Sequence, residues 1–388
     1  MIRKIIYALT ITLIYLPQSF ASYEPLNGSS FEEVSIYTPA RLGFNGSIAT
    51  IALSDVKKGP SDNHFSLSAL QRVSVNKKSM AFTNRTLYQV DSYGREQTYI
   101  PASALQTQIK EYISTYGIAR LTFDSYYEQA RILGYSHILD TLHVELNPHD
   151  QICRGGPKNA YYQRTGQVGG QGVIKFCSRG LSTAKIFDIT AHEVGHSILD
   201  VLHPNFYGNS DNHPYSALHE SFGDLSALFA SIRLAQFTYP EEIPLFMENP
   251  NFCLASDFNG SGTCLRNPTT YRGTSCEAHD YSNYFTSFIL NSMSKTFYYL
   301  DYTSENAVLT SNVFQRLLIN TVVNTSSFSS LNHFSKLMIS RVYESSRDNS
   351  LNSLVTEIMS NELENYSSFM TCPIPRALPK AQSALRYK

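Results

Sequence analysis

The apolar positions of this chain change period along its length. Between residues 22 and 104 they fall in short runs at 31–37, 48–53, 86–90 and 97–100, separated by Gly, Asn, Asp and Ser, a pattern that predicts strands. From 105 to 135 the interval lengthens: Leu105, Ile109, Ile113 and Tyr116 recur at near-helical spacing, and Tyr126-Tyr127 mark a second segment. Strand character returns at 138–146 and 173–176. Over 186–202, Ile189, Val194, Ile198, Leu199, Val201 and Leu202 stand at helical spacings with no proline before Pro204, which predicts a buried amphipathic helix. A second such helix is expected over 216–230, where Leu218, Phe222, Leu225, Leu228 and Phe229 make a stripe. Beyond Glu277 the pattern is mainly helical, including 313–323, 331–343 and 351–363, and the basic, Pro-containing end reads as a tail. These changes divide the chain at 1–21, 22–104, 105–215, 216–371 and 372–388, with no internal repeat.

The two central helices carry the candidate chemistry. The first contains Ala191-His192-Glu193-Val194-Gly195-His196. Histidines four apart leave the same helix face, so both imidazoles can grip one Zn²⁺ with Glu193 beside them. The alternative is a pair of hydrogen-bonded core histidines with Glu193 on a solvated face. A catalytic zinc takes three protein ligands and leaves a place for water. The extended motif of another zinc protease class is absent, because its Gly and His places hold Leu199 and Leu202; His203, one position off, reads as helix-terminal. On the second helix Glu220 and Asp224 share a face. Glu220 can ligate zinc and Asp224 can accept the ring N–H of a ligand histidine, or the two form an exposed acidic pair. The small residues around them suit close packing against another helix.

In these residues the chain resembles the two-histidine, one-glutamate zinc peptidases, the gluzincins, and within them the thermolysin-like proteases. That family carries D-x-x-A-H-E-x-x-H on one helix and G-A-x-N-E-A-x-S-D on the next. This chain has Asp188-Ile-Thr-Ala-His-Glu-Val-Gly-His196 and Ser216-Ala-Leu-His-Glu-Ser-Phe-Gly-Asp224, departing at Ser216, His219, Ser221 and Gly223. The resemblance implies an α+β, zincin-like two-lobed fold, with an N-terminal α/β lobe, a C-terminal helical lobe and the zinc cleft between them. It implies one Zn²⁺ on His192, His196 and Glu220, with Asp224 orienting a ligand histidine and Glu193 as general base.

Two further pieces extend it. Asn159-Ala160-Tyr161-Tyr162 is similar to the family's edge-strand motif, which implies that Asn159, Ala160 and Tyr161 bind an extended peptide by added-strand pairing; an ordinary edge strand is the alternative. Glu277-Ala278-His279-Asp280-Tyr281-Ser282-Asn283 is similar to the family's V-H-x-N-S-G helix start. That implies His279 as oxyanion donor, its ring held by Asp280 or Asn283, against the alternative of a polar capping cluster. The family also places an oxyanion-binding tyrosine between the zinc helices; Tyr207 and Tyr215 lie there, neither at the family's spacing. Asp188 stands where the family often has a calcium carboxylate, which makes Ca²⁺ a candidate second ion, with no other ligands assembled for it.

Composition narrows the setting. A formal charge of −1 over 388 residues, with no Lys/Arg cluster, argues against a nucleic-acid partner or polybasic membrane attachment. Arg3 and Lys4, an apolar run over 5–16 and Ser19-Phe20-Ala21 ahead of Ser22 read as a cleaved secretory signal, with a retained anchor as the alternative. The run is short for a membrane span, so no stable insertion is expected after cleavage. All six cysteines lie beyond it, which fits an oxidising compartment. About fifteen pairings are open; the expected ones are Cys253–Cys264, Cys153–Cys177 and Cys276–Cys372. No C-x-x-C pair suggests a zinc finger. The functional expectation is a secreted zinc-dependent endopeptidase acting on peptide or protein substrates. A narrow exopeptidase or amide hydrolase on the same site stays open, as does a binding or adhesion protein on a degenerate zincin scaffold. Residues 22–104 are expected to be a retained β region, with a propeptide as the alternative.

Overall fold

A computed structural model describes residues 32–39, 48–53, 65–67, 79–83, 86–90, 96–99 and 103–372, save 151–158, 168, 178–181, 209–212, 251, 256–263, 272, 274 and 346–347. The architecture is mixed α+β and mostly helical. The strands are β1 (Glu32–Tyr37), β2 (Ile48–Leu53), β3 (Phe65–Leu67), β4 (Ser79–Thr83), β5 (Thr86–Val90), β6 (Glu96–Tyr99), β7 (His143–Asp150), β8 (Ala160–Arg164) and β9 (Gln171–Cys177). The long helices are α1 (Ser103–Ile132), α2 (Phe187–Leu202), α3 (His213–Thr238), α4 (Ala278–Tyr298), α5 (Ser304–Asn324), α6 (Leu331–Ser340) and α7 (Asn349–Tyr366).

β1 and β2 form an antiparallel pair, and β4, β5 and β6 an antiparallel meander. The sheet that positions the site runs β3-β7-β9-β8, with β3 and β9 parallel to β7 and β8 antiparallel at one edge. Alternation explains β7: Val144 and Leu146 are buried while His143 and Glu145 face out. β3 is the opposite edge strand of this sheet, so Phe65–Leu67 pair with the part of the chain that carries the zinc motif.

The expected strand over 138–146 begins only at His143. Gly134, with φ +82°, ends α1 in the left-handed region, and the Tyr135 N–H closes on the Ala130 carbonyl at 2.8 Å. Ser136–Leu139 then makes one helical turn that buries Leu139, with Leu142 buried just beyond it. The helix expected over 331–343 is interrupted at Arg341, with a separate turn over Val342–Ser345.

The zinc-motif helix is buried, as expected, on its polar face as well as its apolar one. Every residue of α2 is buried except His196, which is intermediate. Some of its buried polar residues are held by hydrogen bonds from other elements. Asp200 accepts hydrogen bonds from Tyr162 Oη (2.8 Å), Gly170 N (2.8 Å) and Arg164 Nε (3.0 Å), tying the end of α2 to β8 and to the turn before β9. Asp188 accepts the Ala255 N–H at 2.8 Å. α3 extends well beyond the expected stretch, its serines donating back to carbonyls one turn earlier, as Ser226 does to Phe222 at 2.7 Å.

Cys253–Cys264 and Cys276–Cys372 are disulfides as expected. Cys177 is disulfide-bonded, while its expected partner Cys153 lies outside the described residues. So do the expected signal segment 1–21 and nearly all of the tail, from residue 373 onward. Among the described residues no helix is long and apolar enough to cross a membrane.

Candidate metal centre

The site forms where α2 and α3 cross at close range. A Cβ added at Gly195 would lie 2.4 Å from Ser226 Oγ, and one at Gly223 would lie 2.5 Å from Cε1 and Nδ1 of His192. These two glycines let the helices approach until the imidazoles of α2 sit over the carboxylates of α3. The rings of His192 and His196 are near-perpendicular, with centroids 4.5 Å apart.

Both imidazoles turn Nε2 toward Glu220: His192 Nε2 is 3.4 Å from Oε2, and His196 Nε2 is 3.7 Å from Oε1. A tetrahedral zinc bonded to N and O at about 2.0–2.1 Å spaces its ligand atoms about 3.4 Å apart, so the imidazole-to-carboxylate spacings and the donor chemistry suit that ion. His192 Nδ1 is 3.0 Å from Asp224 Oδ1, an orientation in which Nδ1–H donates and Nε2 keeps its lone pair free. Asp224 is fully buried. Glu193 also has an oxygen in the cluster, within 4.8 Å of the histidine nitrogens. Glu220 lies outside that group of three, with its two oxygens facing the two Nε2 atoms.

Burial sets the charge states. It pushes the Glu193 carboxyl up to about 7, partly offset by His192 and by the main-chain N–H of Tyr162 on β8. Burial also opposes a charged His192, yet the bonds to Asp224 and Glu220 override it and raise the ring to about 9. A metal at Nε2 therefore competes with a proton. Glu220 is held well below the usual carboxylate range, burial being outweighed by His192 and Arg266. Burial drives His196 well below its ordinary value. Glu193 Oε2 is buried without a protein hydrogen-bond partner, a free acceptor beside the donor set.

His279 joins the group from the first turn of α4, with Nε2 3.4 Å from Glu220 Oε2 and the ring largely exposed. Its holder differs from expectation. Glu277 Oε1 faces His279 Nδ1 at 2.8 Å, and the same carboxylate caps α4 by accepting the N–H groups of His279 and Asp280. Asn283 instead donates to the main-chain carbonyls of His279 and Asp280. The capping cluster and the placement of His279 at the site are thus one arrangement.

Asn159, Ala160 and Tyr161 lie at the start of the edge strand β8, on the same strand as the Tyr162 N–H that faces Glu193. The Asn159 carbonyl accepts from Cys177 N (2.9 Å) and Thr183 Oγ1 (3.2 Å), which fixes the strand's entry. Tyr215 is a core residue, its hydroxyl accepting the Phe328 N–H at 3.3 Å, so it is removed as an oxyanion donor. Tyr207 packs edge-on against His219 with centroids 5.7 Å apart and accepts the Arg164 N–H. His203 is the C-cap of α2 and stacks on Phe206.

Three contributors escaped the sequence reading: Arg266, Glu277 and Asp200; Gly223 meets the expectation that small residues here let the helices pack closely. Arg266 donates to Glu220 Oε2 at 2.8 Å and to Asp224 Oδ1 at 2.7 Å. Its signal was faint, a lone arginine two places beyond a paired cysteine. A scan of family models finds no match for the chain, and a search of curated proteins finds none either.

Proposed function

We propose that the chain is a secreted zinc-dependent endopeptidase of the gluzincin, thermolysin-like type, its cleft lying between an N-terminal α/β lobe and a helical C-terminal lobe. The observation that carries this reading is the convergence of two imidazole Nε2 atoms on both oxygens of Glu220, at 3.4 and 3.7 Å. Asp224 behind His192 and the unpartnered oxygen of Glu193 support it further. The disulfides support an oxidising destination.

His192, His196 and Glu220 would hold the ion, which when bound supplies Lewis acidity toward water and the scissile carbonyl. Glu193, a base whose affinity for a proton is raised by burial, takes the proton from the attacking water and delivers it to the leaving amine. The Nε2 of His279, its ring steadied through Nδ1 by Glu277, donates to the oxyanion. β8, at the sheet edge, receives the peptide main chain as an added strand and holds it beside Glu193.

The test is casein hydrolysis by the mature protein with and without a chelator, alongside Glu193→Gln. The variant is expected to keep its zinc and lose hydrolysis by several orders of magnitude. Zinc-loaded wild-type protein that cleaves neither casein nor a peptide library would instead favour a binding protein.

A further inference from the structure

Arg266 belongs to a strand-like segment outside the helices, yet its guanidinium reaches the middle of the α2–α3 junction. One terminal nitrogen donates to Glu220 and the other to Asp224, and the latter also lies 3.2 and 3.4 Å from the two ring nitrogens of His192. Near-equal distances to both nitrogens place it against the ring. One planar fork thus spans two carboxylates one helical turn apart and braces the imidazole between them, a geometry that a lysine ammonium cannot reproduce. The side chain is nine-tenths buried.

The backbone that delivers this fork is fastened on three sides. Leu254 N donates to the Arg266 carbonyl at 2.9 Å, and Leu265 N to the Leu254 carbonyl at 2.8 Å. The Cys253–Cys264 disulfide closes the segment immediately beside that pair. Ala255, at φ +52°, turns its N–H onto Asp188 at the start of the zinc-motif helix. The same short stretch therefore touches α2 at Asp188 and α3 at Glu220 and Asp224.

We infer that the Cys253–Cys264 bridge and Arg266 act together as a strap for the metal centre: the disulfide fixes Arg266, and Arg266 fixes the orientation of Glu220 and Asp224. Arg266 is a positioning residue, and metal affinity depends on a covalent bond that touches no ligand. The inference rests on the metal-centre reading, and the experiment separates the two.

Zn²⁺ affinity is measured by competition with a chromogenic chelator, and site geometry by Co²⁺ visible absorption, on the oxidised full chain. Wild-type protein that binds neither ion removes the metal centre itself. Arg266→Ala is expected to bind Zn²⁺ about 10–100-fold more weakly, the usual effect of losing an outer partner, with an altered Co²⁺ spectrum. Arg266→Lys, which keeps charge and bulk and so guards against misfolding, is expected to restore little of it. The Cys253→Ser/Cys264→Ser pair should weaken Zn²⁺ by about tenfold in the wild-type background and by less than about twofold on top of Arg266→Ala, because it acts through the arginine. Wild-type affinity in the serine pair, additive losses, or tighter binding by Arg266→Ala would each overturn the strap.

Discussion

Gly223→Ala is a one-carbon perturbation aimed at the centre of the site. The added Cβ would sit 2.5 Å from Cε1 and Nδ1 of His192 and 2.8 Å from Cγ, where ordinary contact begins at 3.4 Å, so the ring must retreat by about 0.9 Å. It has little room, because the guanidinium of Arg266 already lies 3.2 Å from Nδ1 and α2 is buried along its length. Retreat from Gly223 is also retreat from Asp224, the next residue of α3, so the 3.0 Å bond at Nδ1 lengthens past hydrogen-bonding range. Overpacking of this kind costs about 1–3 kcal/mol of stability, and a displaced outer partner lowers metal affinity by about 10–100-fold. The assay is competitive Zn²⁺ titration together with a denaturant melt of the metal-free protein. Affinity within twofold of wild type, with an unchanged Co²⁺ spectrum, would refute the claim that Gly223 exists to let His192 approach α3.

Other outcomes follow from the same geometry. Asp200→Ala strands the Tyr162 hydroxyl and the Gly170 N–H and takes from Arg164 its carboxylate partner, leaving it the Pro204 carbonyl, and should cost about 3–5 kcal/mol in a denaturant titration; a loss under about 1 kcal/mol would mean that the carboxylate is not what joins helix to sheet. If Glu193 works as the base, kcat/KM must rise with pH as its carboxyl ionises. Burial raises that carboxyl from 4.5 to about 7 and a bound cation lowers it again, so the acid limb should fall between those values, and a profile flat across them would exclude Glu193 from proton transfer. Glu220→Ala should abolish stoichiometric zinc while leaving the fold intact, and full zinc content in that variant would require another third ligand.

Much of the helical framework was legible because long apolar periods survive burial on either side. The zinc-motif helix is legible to within a residue, and so is Asp224 as a partner for a ligand histidine, although which histidine it faces, His192, comes only from the structure. What escaped has physical reasons. Periodicity expects a solvent face, and it could not register that a polar residue of α2 such as Asp200 has buried partners on the sheet. Ile138 and Leu139 fit a strand or a helical turn equally well, and only the left-handed Gly134 decides between them. Arg266 comes from a segment with no period at all; its position is fixed by a disulfide and by long-range pairing, which local sequence does not encode. Glu277 was hidden inside the very motif used to find His279, since one carboxylate serves as both helix cap and ring holder.

The Cys276–Cys372 bridge joins the residue just ahead of the His279 helix to a point 96 residues further along. Any single cut by a contaminating or self-inflicted protease between those two points would leave both pieces linked. A gel run without thiol would then show one full-length band from a sample that had been clipped throughout. Only reduction would reveal the fragments, so the age and integrity of a preparation should be judged on reduced material.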